Sequence, residues 1–206
     1  MEQVHIGYTS WNNPPKQVMP EVVRISPEKF PHTFAEKDGY VSMEAEHYTR
    51  AANGKETQWI IIPDFGKTLS GVTTTPVTVY PENCYLEYDI DFTKSNNINV
   101  TLLLAPTLNF NHNKGLSYGI SMDGENEQII NFNGHYRGEL GEWQANPIIK
   151  SETQHKVTAG KHTLRIRPLN PGIVFEKILI DCGGLKDSYL GAPETLNYTN
   201  MQASKK

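Results

Sequence analysis

The chain has 206 residues, 37% of them hydrophobic and 20% charged, with a formal net charge of −4. A chain of this length buries roughly 70% of its unfolded surface, so it folds without covalent staples, and one domain with extensions is the expected organisation. The mildly acidic balance lacks the clustered Lys and Arg that nucleic-acid phosphates demand, and no apolar run approaches the ~20 residues needed to cross a bilayer.

Residues 1–36 are read as an arm or linker. Pro14, Pro15, Pro20, Pro27 and Pro31 interrupt it, and Val22-Val23-Arg24-Ile25 is its one strand-like piece, because proline breaks both helices and sheet ladders. Tyr8 and Trp11 need burial that an arm cannot supply alone. The first residues, MEQVHIGYTSW, lack the charged and apolar regions of a signal peptide. The chain is therefore expected to be either cytosolic or an internal piece of a longer exported protein.

Regular patterning begins at Tyr40, and the domain proper is placed at 37–195, with a tail over 196–206. Val41, Met43 and Ala45 alternate with Ser42, Glu44 and Glu46. Trp59-Ile60-Ile61-Ile62 is a short apolar strand ending at Pro63, and 72–79 is Thr-rich and β-prone. Leu86, Tyr88, Ile90 and Phe92 alternate with acidic residues, and Ile98, Val100, Leu102 and Leu104 repeat the period. Leu116, Tyr118, Ile120 and Met122 then lead into Asp123-Gly124, a hairpin signal loosened by Glu125-Asn126-Glu127 before Ile129-Ile130. Residues 154–157 make a weaker strand. Leu164 and Ile166 alternate with Arg165 and Arg167, and 173–181, apolar on both faces, reads as a central strand. Nine or ten strands with turn signals every 8–12 residues and no 3.6-residue period make the class all-β, a sandwich or jelly roll.

Several residues invite chemical readings. Glu44-Ala45-Glu46 on one strand would put two carboxylates on one face, about 7 Å apart, where they repel and call for a cation or proton. They are not read as a glycosidase pair, since neighbours on one face point in parallel and do not flank a sugar. No catalytic residue is assigned. The segment 133–143 mixes glycines with His135, Tyr136, Arg137 and Trp143, and is the leading ligand-contact candidate. Aromatic faces stack on sugar rings, and a guanidinium forks onto a carboxylate. Trp143 is equally readable as a packing anchor and Arg137 as a solvated charge. His5, His32, His47, His112, His155 and His162 show no metal spacing. Cys84 and Cys182 are too few for a disulfide framework, and are read as buried thiols or as one mutual disulfide. Asn99-Val100-Thr101 and Asn197-Tyr198-Thr199 match the glycosylation sequon, a short pattern that arises by chance.

Three blocks together carry a family resemblance. They are YVSMEAEHYTR at 40–50, APTLNF at 105–110 with GLSYGISMD at 115–123, and GKHTLRI at 160–166 with PGIV at 171–174 and IDCGGLKDSYLG at 180–191. In this order they resemble the C-terminal domain of the family 115 glycoside hydrolases, the α-glucuronidases that remove (4-O-methyl)glucuronic acid from xylan. The resemblance implies a jelly-roll β-sandwich of the galactose-binding-domain-like kind, similar to carbohydrate-binding modules. It implies that the chemistry resides in an N-terminal catalytic barrel domain not included in this chain, and that the parent is an exported bacterial enzyme. It further implies homodimerisation and a place beside the partner subunit's active site, with glucuronoxylan as the ligand. Modules of this type carry a structural calcium site, and by that resemblance Glu44, Glu46 and Asp181 would hold Ca2+ through hard oxygen ligands. Three readings follow: an accessory domain inactive alone, a stand-alone carbohydrate-binding module for xylan, or a structural cap.

Overall fold

The computed structural model describes residues 32–94, 96–110, 115–134 and 148–197. Twelve strands are described: β1 (Thr33–Ala35), β2 (Tyr40–Glu44), β3 (Arg50–Ala52), β4 (Gln58–Ile62), β5 (Gly71–Thr75), β6 (Tyr85–Phe92), β7 (Asn96–Leu104), β8 (Ser117–Met122), β9 (Gln128–Asn131), β10 (Ile149–Val157), β11 (Gly160–Pro168) and β12 (Phe175–Asp181). The one helical element among the described residues is a 3-10 turn, Ala45–His47. The protein is all-β, as the alternation requires.

The strands form two six-stranded sheets. The first runs β1-β6-β11-β8-β9, with β3 also on β6. The second runs β10-β7-β12-β5-β4, with β2 also on β12. Period-two patterning sends Leu86, Tyr88, Ile90, Tyr118, Ile120, Leu164 and Ile166 of the first sheet inward. They meet Val41, Met43, Val100, Leu102, Ile178 and Ile180 of the second, in one core. Two buried phenols cross that core with partners for their hydroxyls: Tyr88 donates to the Ala45 carbonyl at 2.8 Å, and Tyr118 Oη lies 2.7 Å from Ser151 Oγ.

The sheets take in residues on both sides of the 37–195 span. Thr33–Ala35 pairs in parallel with Asp89–Asp91, and Phe34 bridges Leu196. β10 is nine residues long, where the sequence shows only its last four clearly. Its inward face is Ile149, Ser151, Thr153, His155 and Val157, so polar side chains mask the alternation. Two Asp-Gly pairs close hairpins with both residues at positive φ, Asp38-Gly39 (52° and 77°) and Asp123-Gly124 (51° and 75°), the geometry that matches strand twist. The Asp123–Glu127 loop is then riveted by its carboxylates. Asp123 accepts from His162 Nδ1, Glu125 from His155 Nδ1, and Glu127 from Arg167. The Gly183-Gly184 pair is also explained. A Cβ on Gly184 would overlap the Asp38 carbonyl oxygen, because the two backbones meet there.

Cys84 and Cys182 are both buried free thiols. The Cys84 sulfur accepts from Gly54 N at 3.0 Å, and burial pushes the Cys182 thiol up to about 12, which keeps it protonated and unreactive.

Candidate functional site

The registers across the second sheet place three rows of side chains on its outer face. They are Lys150–Leu103–Lys177–Glu44, then Glu152–Thr101–Leu179–Ser42, then Gln154–Asn99–Asp181–Tyr40. The chain beyond β12 folds back over part of this face, and Leu103, Leu179 and Ala192 form a small apolar cluster backed by Ile148 and Leu185. What stays open is a groove of about 500 Å3, within the ~300–1,000 Å3 of ordinary ligand clefts. Leu103, Leu179, Asn99 and Thr101 line its floor, Lys150 and Glu152 stand on one side, and the stretch from Leu185 to Gly191 lines the other. Tyr189 is 77% exposed on that rim, and the Lys67 ammonium rests 4.1 Å from its ring centroid.

Half of the first row is itself a buried ionic cluster. Lys177, only 3% exposed, donates to Glu44 Oε1 at 2.8 Å, and Glu44 is 4% exposed. Thr68 Oγ1 donates to the same oxygen at 2.6 Å. A β-bulge between Phe175 and Lys177 brings the buried Glu176 carboxylate to this side, where Glu176 Oε2 accepts from Lys67 N at 3.1 Å. Glu44 and Glu176 thereby hold consecutive residues of the exposed loop that carries Lys67 to Tyr189. The Phe175-Glu176-Lys177-Ile178 run, two charges inside an apolar strand, is the signal that sequence reasoning passed over.

Burial pushes the Glu176 carboxyl above its usual range, and Glu44 nearby adds to the shift. The folded state therefore holds this proton more tightly than the unfolded chain. The contribution is fully present below the ordinary carboxylate pKa and is lost as pH rises through the folded value. Glu176→Gln, which keeps an oxygen for Lys67 N, is expected to raise the melting temperature at pH 7 and to flatten its decline as pH rises above the ordinary carboxylate range. An unchanged pH profile by thermal melting would contradict the assignment.

Glu44, Glu46 and Asp181 are not brought together. β2 ends at Glu44, and the 3-10 turn carries Glu46 off the strand, so the one-face premise fails. Antiparallel pairing sets Lys177 opposite Glu44 and Asp181 opposite Tyr40, so Asp181 lies four residues along, roughly 13 Å at strand rise. Asp181 Oδ1 is taken by the backbone N–H groups of Gly183, Gly184 and Leu185. Among the described residues no group of three or more His, Cys, Asp or Glu could hold a metal ion. The Ca2+ set does not fit: a lysine ammonium already neutralises Glu44. His135, Tyr136, Arg137 and Trp143 lie outside the described residues.

The first sheet's outer face is ionic but internally satisfied. Arg50 binds Glu87 at 2.7 Å and Asp89 through two 2.7 Å bonds, while Arg165 also binds Glu87. Hydrogen bonds from Arg50 hold the Asp89 carboxyl below its usual range. In the cleft at that sheet's end, Asp123 is engaged by His162. His47 lies 2.8 Å from Glu194. The described histidines at 47, 155 and 162 thus serve as structural partners of carboxylates.

Comparison with known proteins gives a family. No curated protein matches the chain. Among solved structures the chain is similar to a GH26-CBM35 β-(1,4)-mannanase of Podospora anserina, with a TM-score of 0.50 and 14% identity over 70% of this chain and 28% of that one; this likeness is one of fold. BtGH115A, described as a family GH115 4-O-methyl-α-glucuronidase with specificity for decorated arabinogalactans, matches at TM-score 0.48 and 18% identity. That match covers 65% of this chain, which spans 17% of the relative's length. A family 35 carbohydrate binding module from Clostridium thermocellum matches at TM-score 0.47 and 19% identity, over 68% of this chain and 97% of the module. The model of the glycosyl hydrolase family 115 C-terminal domain matches residues 33–194, which include all twelve strands, and the chain belongs to that family.

Proposed function

We propose that this chain is the non-catalytic C-terminal domain of an α-glucuronidase acting on glucuronoxylan, where it supports dimerisation and helps to complete the partner subunit's active site. The family match over residues 33–194 carries this reading. The ionic geometry agrees with it. In the first sheet's end cleft, Asp89 is tied to Arg50 and Asp123 to His162, so both carboxylates are engaged in ion pairs within the domain. The catalytic barrel is a separate domain in this reading, and the ligand is carbohydrate.

The test compares the whole enzyme with a version lacking the segment equivalent to 33–194. Loss of the dimer in solution and a drop of at least about tenfold in release of glucuronic acid from glucuronoxylan are expected, a barrier change of ~1.4 kcal/mol. An unchanged oligomer with unchanged turnover would overturn the reading, as would turnover of aldouronic acids by this chain alone.

A second reading, a carbohydrate-binding module that holds xylan by itself, is favoured by the open groove and the exposed Tyr189 ring. Retardation of the isolated chain in affinity electrophoresis on xylan supports it, and unaltered mobility removes it.

A further inference from the structure

We propose that the groove on the outer face of the second sheet is a binding site for glycans that carry an anionic group, with Tyr189 as the stacking platform and Lys67 and Lys150 as the charge partners. This deepens the carbohydrate reading above and rests on it.

The case begins with how charge is distributed along the rows. The first row contributes Lys150 to the groove wall, while Lys177 in the same row is consumed by Glu44. Lys67 reaches the same end from the loop anchored on Glu176 and Glu44 through its own amide and Thr68. No carboxylate lies within ion-pair distance of the Lys67, Lys150 or Lys186 ammonium among the described residues. The groove also contains carboxylates, at Glu152, Asp181 and Asp187. Glu152 belongs to the second row and Asp181 to the third, and Asp181 is turned into the backbone N–H groups of the following loop. Lys150 and Lys67 therefore stand at the end of the cleft away from Glu152 and Asp181, while Lys186 and Asp187 belong to the rim stretch that carries Tyr189. The exposed aromatic ring is at that same end.

This combination suits a sugar acid better than a neutral sugar. The apolar face of a pyranose ring packs on an aromatic face, and a carboxylate or sulfate on that ring gains a charge-assisted bond from a nearby ammonium. Lys67, resting on one face of the Tyr189 ring, keeps its charge beside the platform; the buried Glu176 carboxylate attracts it from beyond ion-pair distance. Asn99 and Thr101 on the floor offer amide and hydroxyl groups to further hydroxyls along the chain.

The test titrates the full 206-residue chain calorimetrically with three oligosaccharides of equal length: neutral xylo-oligosaccharide, the same backbone bearing one glucuronate, and a sulfated form. At least one acidic probe is expected to bind about tenfold or more tighter than the neutral one, and to weaken as salt rises because the lysines are partly exposed. Uronate ahead of sulfate identifies a carboxylate ligand; the reverse order identifies a sulfate ester. Lys67→Met with Lys150→Met is expected to abolish the preference, and Tyr189→Ala to weaken all three probes. Equal affinity for neutral and acidic probes, a preference that survives both lysine replacements, or no binding of any probe overturns the site. Amide shifts in the unaltered chain provide a second reading, independent of variant folding. Acid-induced shifts at Lys67, Lys150 and Tyr189 support the site, and shifts confined to other surfaces refute it. The truncation test on the whole enzyme depends on neither lysines nor salt, so it distinguishes failure of this site from failure of the accessory-domain reading.

Discussion

Lys177→Met is expected to lower the unfolding free energy by about 3–5 kcal/mol, because it strands a buried carboxylate. Glu44 is 4% exposed, and after the change Thr68 Oγ1 and the surrounding loops would be left to solvate its charge. The double change Glu44→Gln with Lys177→Met removes both charges together and is expected to recover most of the loss, as replacement of buried ion pairs by neutral groups commonly does. Denaturant melts of the two variants measure this directly. Equal losses for single and double variants would show that the lysine stem, which packs beneath Gly191, matters more than its charge. Because the ammonium already compensates Glu44, millimolar Ca2+ or a chelator is expected to leave the melting temperature of the parent chain unchanged. A shift of several degrees on adding Ca2+ would contradict the description of this cluster.

Tyr118→Ala is expected to cost a similar ~3–5 kcal/mol, the range for deleting a buried aromatic ring. The Tyr118 side chain is fully buried and spans the two sheets. Its ring meets Phe175 edge-on with centroids 6.1 Å apart, and its hydroxyl reaches Ser151 on β10. Burial pushes the phenol up to about 12, even with the Ser151 hydrogen bond acting the other way, so the group stays neutral through the ordinary pH range. Tyr118→Phe keeps the ring and removes one bond, and is expected to cost only about 1 kcal/mol. The gap between the two variants separates packing from hydrogen bonding. If Phe proved as damaging as Ala, the inter-sheet bond would be the dominant contribution.

The legible parts of this protein are those set by local alternation. Leu86, Tyr88, Ile90 and Phe92 face the core because the strand period is two, and the same rule places Leu164 and Ile166. Where both faces of a strand carry similar side chains, the rule loses its purchase. β10 puts Ser151, Thr153 and His155 inside, where Ser151 meets Tyr118, His155 meets Glu125 and Thr153 meets His155, so polar side chains hid its first half. The one-face reading of Glu44 and Glu46 failed for a related reason. Alternation through Ala45 continues in the sequence, yet the backbone turns into a 3-10 helix there.

The site divides along the same line. An exposed tyrosine and a lysine 122 positions earlier in the chain (Tyr189 and Lys67) give no local hint of meeting. Glu176 and Lys177 were detectable as charges inside an apolar strand, but not their partners, since Lys67, Thr68 and Glu44 come from distant segments. Residue pattern alone determined the all-β class, the inward faces of most strands, the Asp123-Gly124 turn and the blocks that carry the family. Only the tertiary structure decided that Glu44 is paired with Lys177, and that two loops enclose a groove on one sheet face. The physical reason is range. Strand period and turn chemistry are written within a few neighbouring residues, whereas charge compensation depends on which strands pair and in what register.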